Sequence, residues 1–132
     1  MQKPQASNEV VALEQERGSH VNELLDEVRE RFGEYPVQNC DSAHGSDEAG
    51  YLKLLDDLLR GVAMKQEICL DLLGRENWDL FTCGFSETHC CGHQLWHFHD
   101  PRDRDHDPHA DPRLQGAIRE LYGRVDEAVG AL

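Results

Sequence analysis

Trp78-Asp79-Leu80-Phe81-Thr82-Cys83-Gly84-Phe85 is the stretch on which the fold turns. Its run of aromatic and apolar side chains is short, follows a helix-like segment, and lacks the polar alternation of a half-exposed strand. The run predicts a buried strand over Leu80 to Phe85, covered by helices on both faces, because a strand wet on neither side needs no alternation. The expected fold class is α/β, mostly helical with one clear buried strand.

Upstream of this run, Leu52, Leu55, Leu59, Val62, Cys69 and Leu73 recur at helical spacing, and Leu54, Leu58, Ile68 and Leu72 widen the stripe to that of a helix laid on a sheet. Ser46 or Asp47 is placed to cap this helix and Gly74 to end it. Before it, residues 35–45 cluster Pro, Gly, Asn, Asp and Ser without periodicity and read as a loop. Val21, Leu24, Leu25, Val28 and Phe32 share one face of a shorter helix expected from Ser19 to the stop at Gly33. The first 18 residues are poorly defined, with Val10 to Leu13 readable as a strand or a helical turn. Downstream, Asp111 as cap and Pro112 in the first turn open a terminal helix marked by Leu114, Ala117, Ile118, Leu121 and Val125. The order over residues 19–132 is helix, helix, strand, loop, helix. Too few strands are present to close a sheet, so the expectation is a single incomplete domain.

With 132 residues the chain can bury one modest core. A formal charge of -13 argues against a nucleic-acid surface, since such surfaces gain affinity through clustered Lys and Arg that release counterions. No apolar stretch approaches the roughly 20 residues that span a bilayer, and the polar start has no signal-peptide core, so a cytoplasmic protein without membrane contact is expected. Five cysteines at irregular spacing suit reduced thiols better than a disulfide framework.

Behind the apolar run, Phe85 to Asp100 carries four imidazoles, two thiols and two carboxylates. These are the ligands of a divalent-metal site. His89 and His93 are four apart and His97 four further on, so a helical turn of this segment projects all three from one face. His89 and His93 are the expected metal ligands. Glu87, His97, His99 and Asp100 are alternative ligands or groups that orient an imidazole through its other nitrogen. Cys90 and Cys91 suit a soft metal as thiolates, or simply fill space as small buried residues. Residues 100–112 alternate charge with proline and read as a solvated connection carrying His106 and His109.

The segment Trp78 to Pro101, W-D-L-F-x-x-x-F-S-E-T-H-C-x-G-H-Q-x-W-H-x-H-D-P, resembles bacterial members of the alkaline phosphatase superfamily, of the type I phosphodiesterase and nucleotide pyrophosphatase kind. More loosely, the resemblance runs from the helix at Ser46 to the terminal helix. In related phosphodiesterases a P-D-x-x-G-H motif follows a strand, and its Asp and His hold one of two metal ions. Gly92-His93 matches the G-H pair, and His89 stands where the Asp would. The family's Thr or Ser nucleophile segment and its D-H-G segment have no counterpart in this chain.

The resemblance implies part of a three-layer alkaline-phosphatase-like core, an internal fragment of a metal-dependent phosphoric-ester hydrolase. It implies zinc or manganese as the metal, and a small phosphate ester or nucleotide-like substrate for the parent enzyme. The chain alone is expected to be inactive, with one partial metal site and no nucleophile. A stand-alone His-rich metal-binding or interaction module is the alternative.

Overall fold

A computed structural model describes the backbone of residues 8–37 and 39–132, and the side chains from residue 20 onward except residue 38. Among the described residues there are four helices, α1 (Asn8–Phe32), α2 (Glu48–Leu73), α3 (Glu87–His99) and α4 (Pro112–Ala131), and no strand. The expected α/β core with a buried strand is therefore corrected to an all-helical fold. Trp78 to Phe85 forms no regular secondary structure, and Leu80 is 78% exposed and Trp78 44% exposed. No backbone-to-backbone hydrogen bond forms along that segment among the described residues. The physical reason is the missing neighbour: a strand is held by its ladder, and an apolar run without a second strand stays an open connection.

The chain divides into two compact units, Met1–Glu34 and Tyr35–Leu132. In the first, α1 begins well before Ser19, which lies inside the helix rather than at its cap. It ends where expected. Gly33 takes a φ of 86° that other residues avoid, and its N–H donates to the Arg29 carbonyl at 2.9 Å.

In the second unit α2, α3 and α4 pack pairwise, each against both others. Local chemistry sets two of their starts: the Asp47 side chain accepts from Gly50 N, and Asp111 accepts from Arg113 N beside Pro112. The core joins Leu54, Leu55, Leu58 and Val62 of α2 to Cys91, Leu95 and Phe98 of α3 and to Leu114, Ala117, Leu121 and Ala128 of α4. Asp111 N donates to Glu48 Oε1 at 3.0 Å and Arg113 to Asp56 at 2.8 Å, tying the start of α4 to α2. No helix among the described residues is long and apolar enough to cross a membrane.

Asp57 is a polar member of the buried α2 face, accepting from Lys53 at 2.6 Å and from Arg60. Burial pushes its carboxyl upward, and the hydrogen bonds from Lys53 and Arg60 outweigh that, holding it below the usual carboxylate range. A depressed carboxyl stabilises the fold above its unfolded pKa, and that stabilisation is lost as pH falls through its folded pKa. Asp57→Asn is accordingly expected to lower stability at neutral pH and to reduce the loss on acidification, as read from urea melts across the acid range.

The two ends of the apolar pattern separate on substitution. Leu95→Ala, at a fully buried site, is expected to lower the free energy of unfolding by about 2 to 5 kcal/mol. Leu80→Ala should stay within about 0.5 kcal/mol of the parent in the same melts. A loss at Leu80 as large as at Leu95 would contradict the open segment.

Candidate metal-binding helix

The residues singled out from the sequence as a loop form α3. Its helical state is held from one buried face, because Glu87, Cys91, Leu95 and Phe98 follow each other at helical spacing and all point into the core. Gly92, which suggested a tight turn, sits inside the helix, and a Cβ there would meet nothing within 4 Å.

Glu87, the first residue of α3, is fully buried. Its carboxylate accepts from the Tyr35 hydroxyl at 2.5 Å and from Lys65 Nζ of α2 at 3.1 Å. The same ammonium donates to Ser86 Oγ at 3.0 Å and to the Gly84 carbonyl at 3.1 Å, and it lies 5.1 Å from the centroid of the Tyr35 ring. Position adds to pairing, since a negative group is favoured at a helix N-terminus. Burial and the neighbouring carboxylate push the Tyr35 phenol well above its ordinary value, so it remains a donor. Gly61 of α2 leaves the room: a Cβ there would stand 3.0 Å from both Glu87 Oε1 and the Tyr35 hydroxyl. The Glu87 carboxylate is thus committed to holding α3 rather than to a metal. Lys65 and Tyr35 were not picked out by the sequence reading. The available signal was the place of Lys65 three residues after Val62 and four before Cys69, on the apolar side of α2.

The opposite face of α3 carries imidazoles. His89 and His93 are both exposed, with ring centroids 4.4 Å apart and planes at 79°. One turn further, His97 is half-buried with its ring 5.5 Å from that of Tyr51. The His97 carbonyl lies 2.9 Å from His106 Nδ1, a contact in which a protonated Nδ1 donates. His99 sits beside Trp96, ring centroids 5.5 Å apart. Asp100 is taken up by Arg102, whose backbone and guanidinium all donate to it and hold its carboxyl down at about 2.

His93 and His97 also line an open groove of about 450 Å³, shared with His44, Tyr51, Trp96, Asp103 and Asp105. Among the described residues, no three His, Cys, Asp or Glu side chains come close enough together to hold one metal ion. Cys90 and Cys91 take the structural role. Burial and a hydrogen bond with Cys40 push Cys90 up to about 12, and burial followed by the nearby Cys90 takes Cys91 to the same value. As neutral thiols they are poor ligands.

No protein family, no curated protein and no solved structure matches the chain.

The anchor of α3 generates a paired expectation. Lys65→Met leaves the Glu87 carboxylate buried without its cation and should destabilise by about 3 to 5 kcal/mol. Gly61→Ala should also destabilise, because the new Cβ crowds Glu87 and Tyr35, whereas Gly116→Ala, with nothing within 4 Å, should gain up to about 1 kcal/mol from helix propensity. Chemical denaturation of the three variants checks both signs.

Proposed function

We propose that α3 is a divalent transition-metal-binding helix whose ligand pair is His89 and His93. The chain would contribute that partial site to a metal-dependent phosphoric-ester hydrolase of the phosphodiesterase or nucleotide pyrophosphatase type. The observation that carries the reading is the exposed pair itself, two imidazoles one turn apart with ring centroids at 4.4 Å. Two His at this spacing on a helix can share an ion, as in other helical zinc sites. Borderline-soft imidazole donors suit zinc first and manganese second. The motif from Glu87 to His93, with its G-H pair, supports the hydrolase assignment through the resemblance of Trp78 to Pro101.

When bound, the metal supplies charge neutralisation at phosphoryl oxygens, which a chain of formal charge -13 would otherwise repel. The chain's own residues do the positioning. Glu87, Lys65 and Tyr35 fix the start of α3, and the buried Cys91, Leu95 and Phe98 set its rotation so that His89 and His93 face outward. The substrate in the complete enzyme is a small phosphate ester or nucleotide-like molecule.

A second reading, a stand-alone metal-binding module, is favoured by the closed core of the Tyr35–Leu132 unit. Among the described residues that core leaves no buried side-chain nitrogen or oxygen without a hydrogen-bond partner. The coding sequence around this segment separates the two. A GxD-type nucleophile segment and a D-H-G segment in the same frame support the hydrolase, and their absence supports the module.

Calorimetric zinc titration of the chain is expected to show one site that both His89→Ala and His93→Ala remove and that His109→Ala leaves intact. Binding should weaken as the solution is acidified, because the ligand is neutral imidazole. The chain alone should not hydrolyse a nitrophenyl phosphodiester with added zinc or manganese. Turnover abolished by a single Ser or Thr substitution would contradict the partial-site reading, and zinc affinity unchanged in both His variants would contradict the ligand pair.

A further inference from the structure

The groove beside His93, about 450 Å³ in volume, has room for a small organic molecule, and the metal pair uses only His93 of its lining. Its hydrogen-bonding capacity is one-sided. Gln94 lines the groove and is only 6% exposed. Its Nε2 donates to Asp41 Oδ1 at 3.2 Å, whereas its carbonyl oxygen accepts from no group among the described residues. Since no fully buried side-chain oxygen among those residues lacks a partner, this one opens on the groove.

Asp103 and Asp105 add two carboxylates from the turn after α3. That turn is held in place: Asp103 N donates to the Asp100 carbonyl at 2.9 Å, His106 N donates to the Asp103 carbonyl at 3.1 Å, and the His106 ring lies 2.9 Å from the His97 carbonyl. Asp103 Oδ1 accepts from Asp105 N at 3.0 Å, and among the described residues no cation pairs with Asp103. Arg104 reaches Asp105 at 3.4 Å, an exposed pair that a ligand can displace. Aromatic rings complete the lining. Tyr51 is braced edge-on by His97 and Phe98, with centroids at 5.5 and 5.1 Å, and Trp96 is 44% exposed.

We propose that this groove binds a primary ammonium carried on an aromatic or apolar body, an arylalkylamine being the simplest case. Two carboxylates and an amide carbonyl can only accept, so the ligand must donate, and an ammonium brings three N–H donors together with the opposite charge. Tyr51 and Trp96 give the body apolar contact and favour a cation over their faces. An anion would meet the two carboxylates, and a quaternary ammonium would leave the acceptors unfilled. The proposal does not depend on the metal-binding reading.

The test is an NMR titration of the full chain with phenylethylamine, in metal-free buffer at physiological salt and mildly alkaline pH, where free imidazole is neutral. The Gln94 side-chain amide, the Trp96 indole N–H and the backbone amides of residues 103–105 are expected to shift together and saturate. Phenylethanol, the neutral analogue, and the trimethylated amine, which keeps the charge without the N–H groups, should each bind at least about tenfold more weakly, the effect of losing one charge-assisted hydrogen bond. Asp103→Asn keeps the oxygen that accepts from Asp105 N and should weaken amine binding by a similar factor. Glu67→Gln, at an exposed site on α2 outside the groove, should leave it unchanged. Shifts that do not saturate or that fall elsewhere would overturn the proposal. So would equal binding of the alcohol or the trimethylated amine, or an equal loss in Asp103→Asn and Glu67→Gln, which would reduce the effect to the overall negative charge.

Discussion

The arrangement depends first on one buried carboxylate. Glu87 is fully shielded from solvent at the start of α3, where the Tyr35 hydroxyl and the Lys65 ammonium meet it. Isolated in an apolar interior, that charge would be costly; paired with a cation, hydrogen-bonded twice and placed at a helix N-terminus, it is satisfied. Satisfaction requires that the loop at Tyr35, the middle of α2 and the start of α3 come to one point. Gly61 is part of the same constraint, since a side chain there would occupy the space the carboxylate needs. The rotation of α3 follows from that point and from the buried row Cys91, Leu95 and Phe98, and the exposed place of His89 and His93 follows from the rotation.

What was legible in the sequence was mainly local. The Asp47 and Asp111 caps, the Gly33 stop and the apolar stripe of α2 depend on side chains within a few residues of each other. The Trp78–Phe85 segment was misread because the same apolar pattern serves a buried strand or an open connection, and only partner strands, which no local pattern reports, decide between them. The state of α3 was harder to read for a related reason. Thr88, two adjacent cysteines, Gly92 and four histidines are mediocre helix formers, and the helix is held by burial of one face and by Lys65, which is 22 residues from Glu87 in sequence. Its apolar spacing from Cys91 to Phe98 was nonetheless visible.

The candidate site was legible in part. The four-residue spacing of His89 and His93 anticipated neighbouring rings once the segment turned helical. Glu87 and Asp100 were grouped with them by sequence proximity, but their oxygens are engaged elsewhere, by Tyr35 and Lys65 in one case and by Arg102 in the other. His44 reaches the groove beside His93 from a loop before α2, and Asp103 and Asp105 reach it from the loop that directly follows α3; no helical spacing rule connects them to it. An i to i+4 imidazole pair needs only the helix that carries it, whereas further ligands need tertiary placement.

The central claim is that His89 and His93 act as one chelating pair on the outer face of α3. Imidazole nitrogen chemical shifts followed by NMR during zinc titration address it directly, because a coordinated ring nitrogen reports its own binding. The account predicts that one nitrogen of His89 and one of His93 shift together and saturate at one zinc per chain, while the nitrogens of His106 and His109 stay at their starting positions. Shifts confined to other histidines, or His89 and His93 responding at separate zinc concentrations, would contradict it.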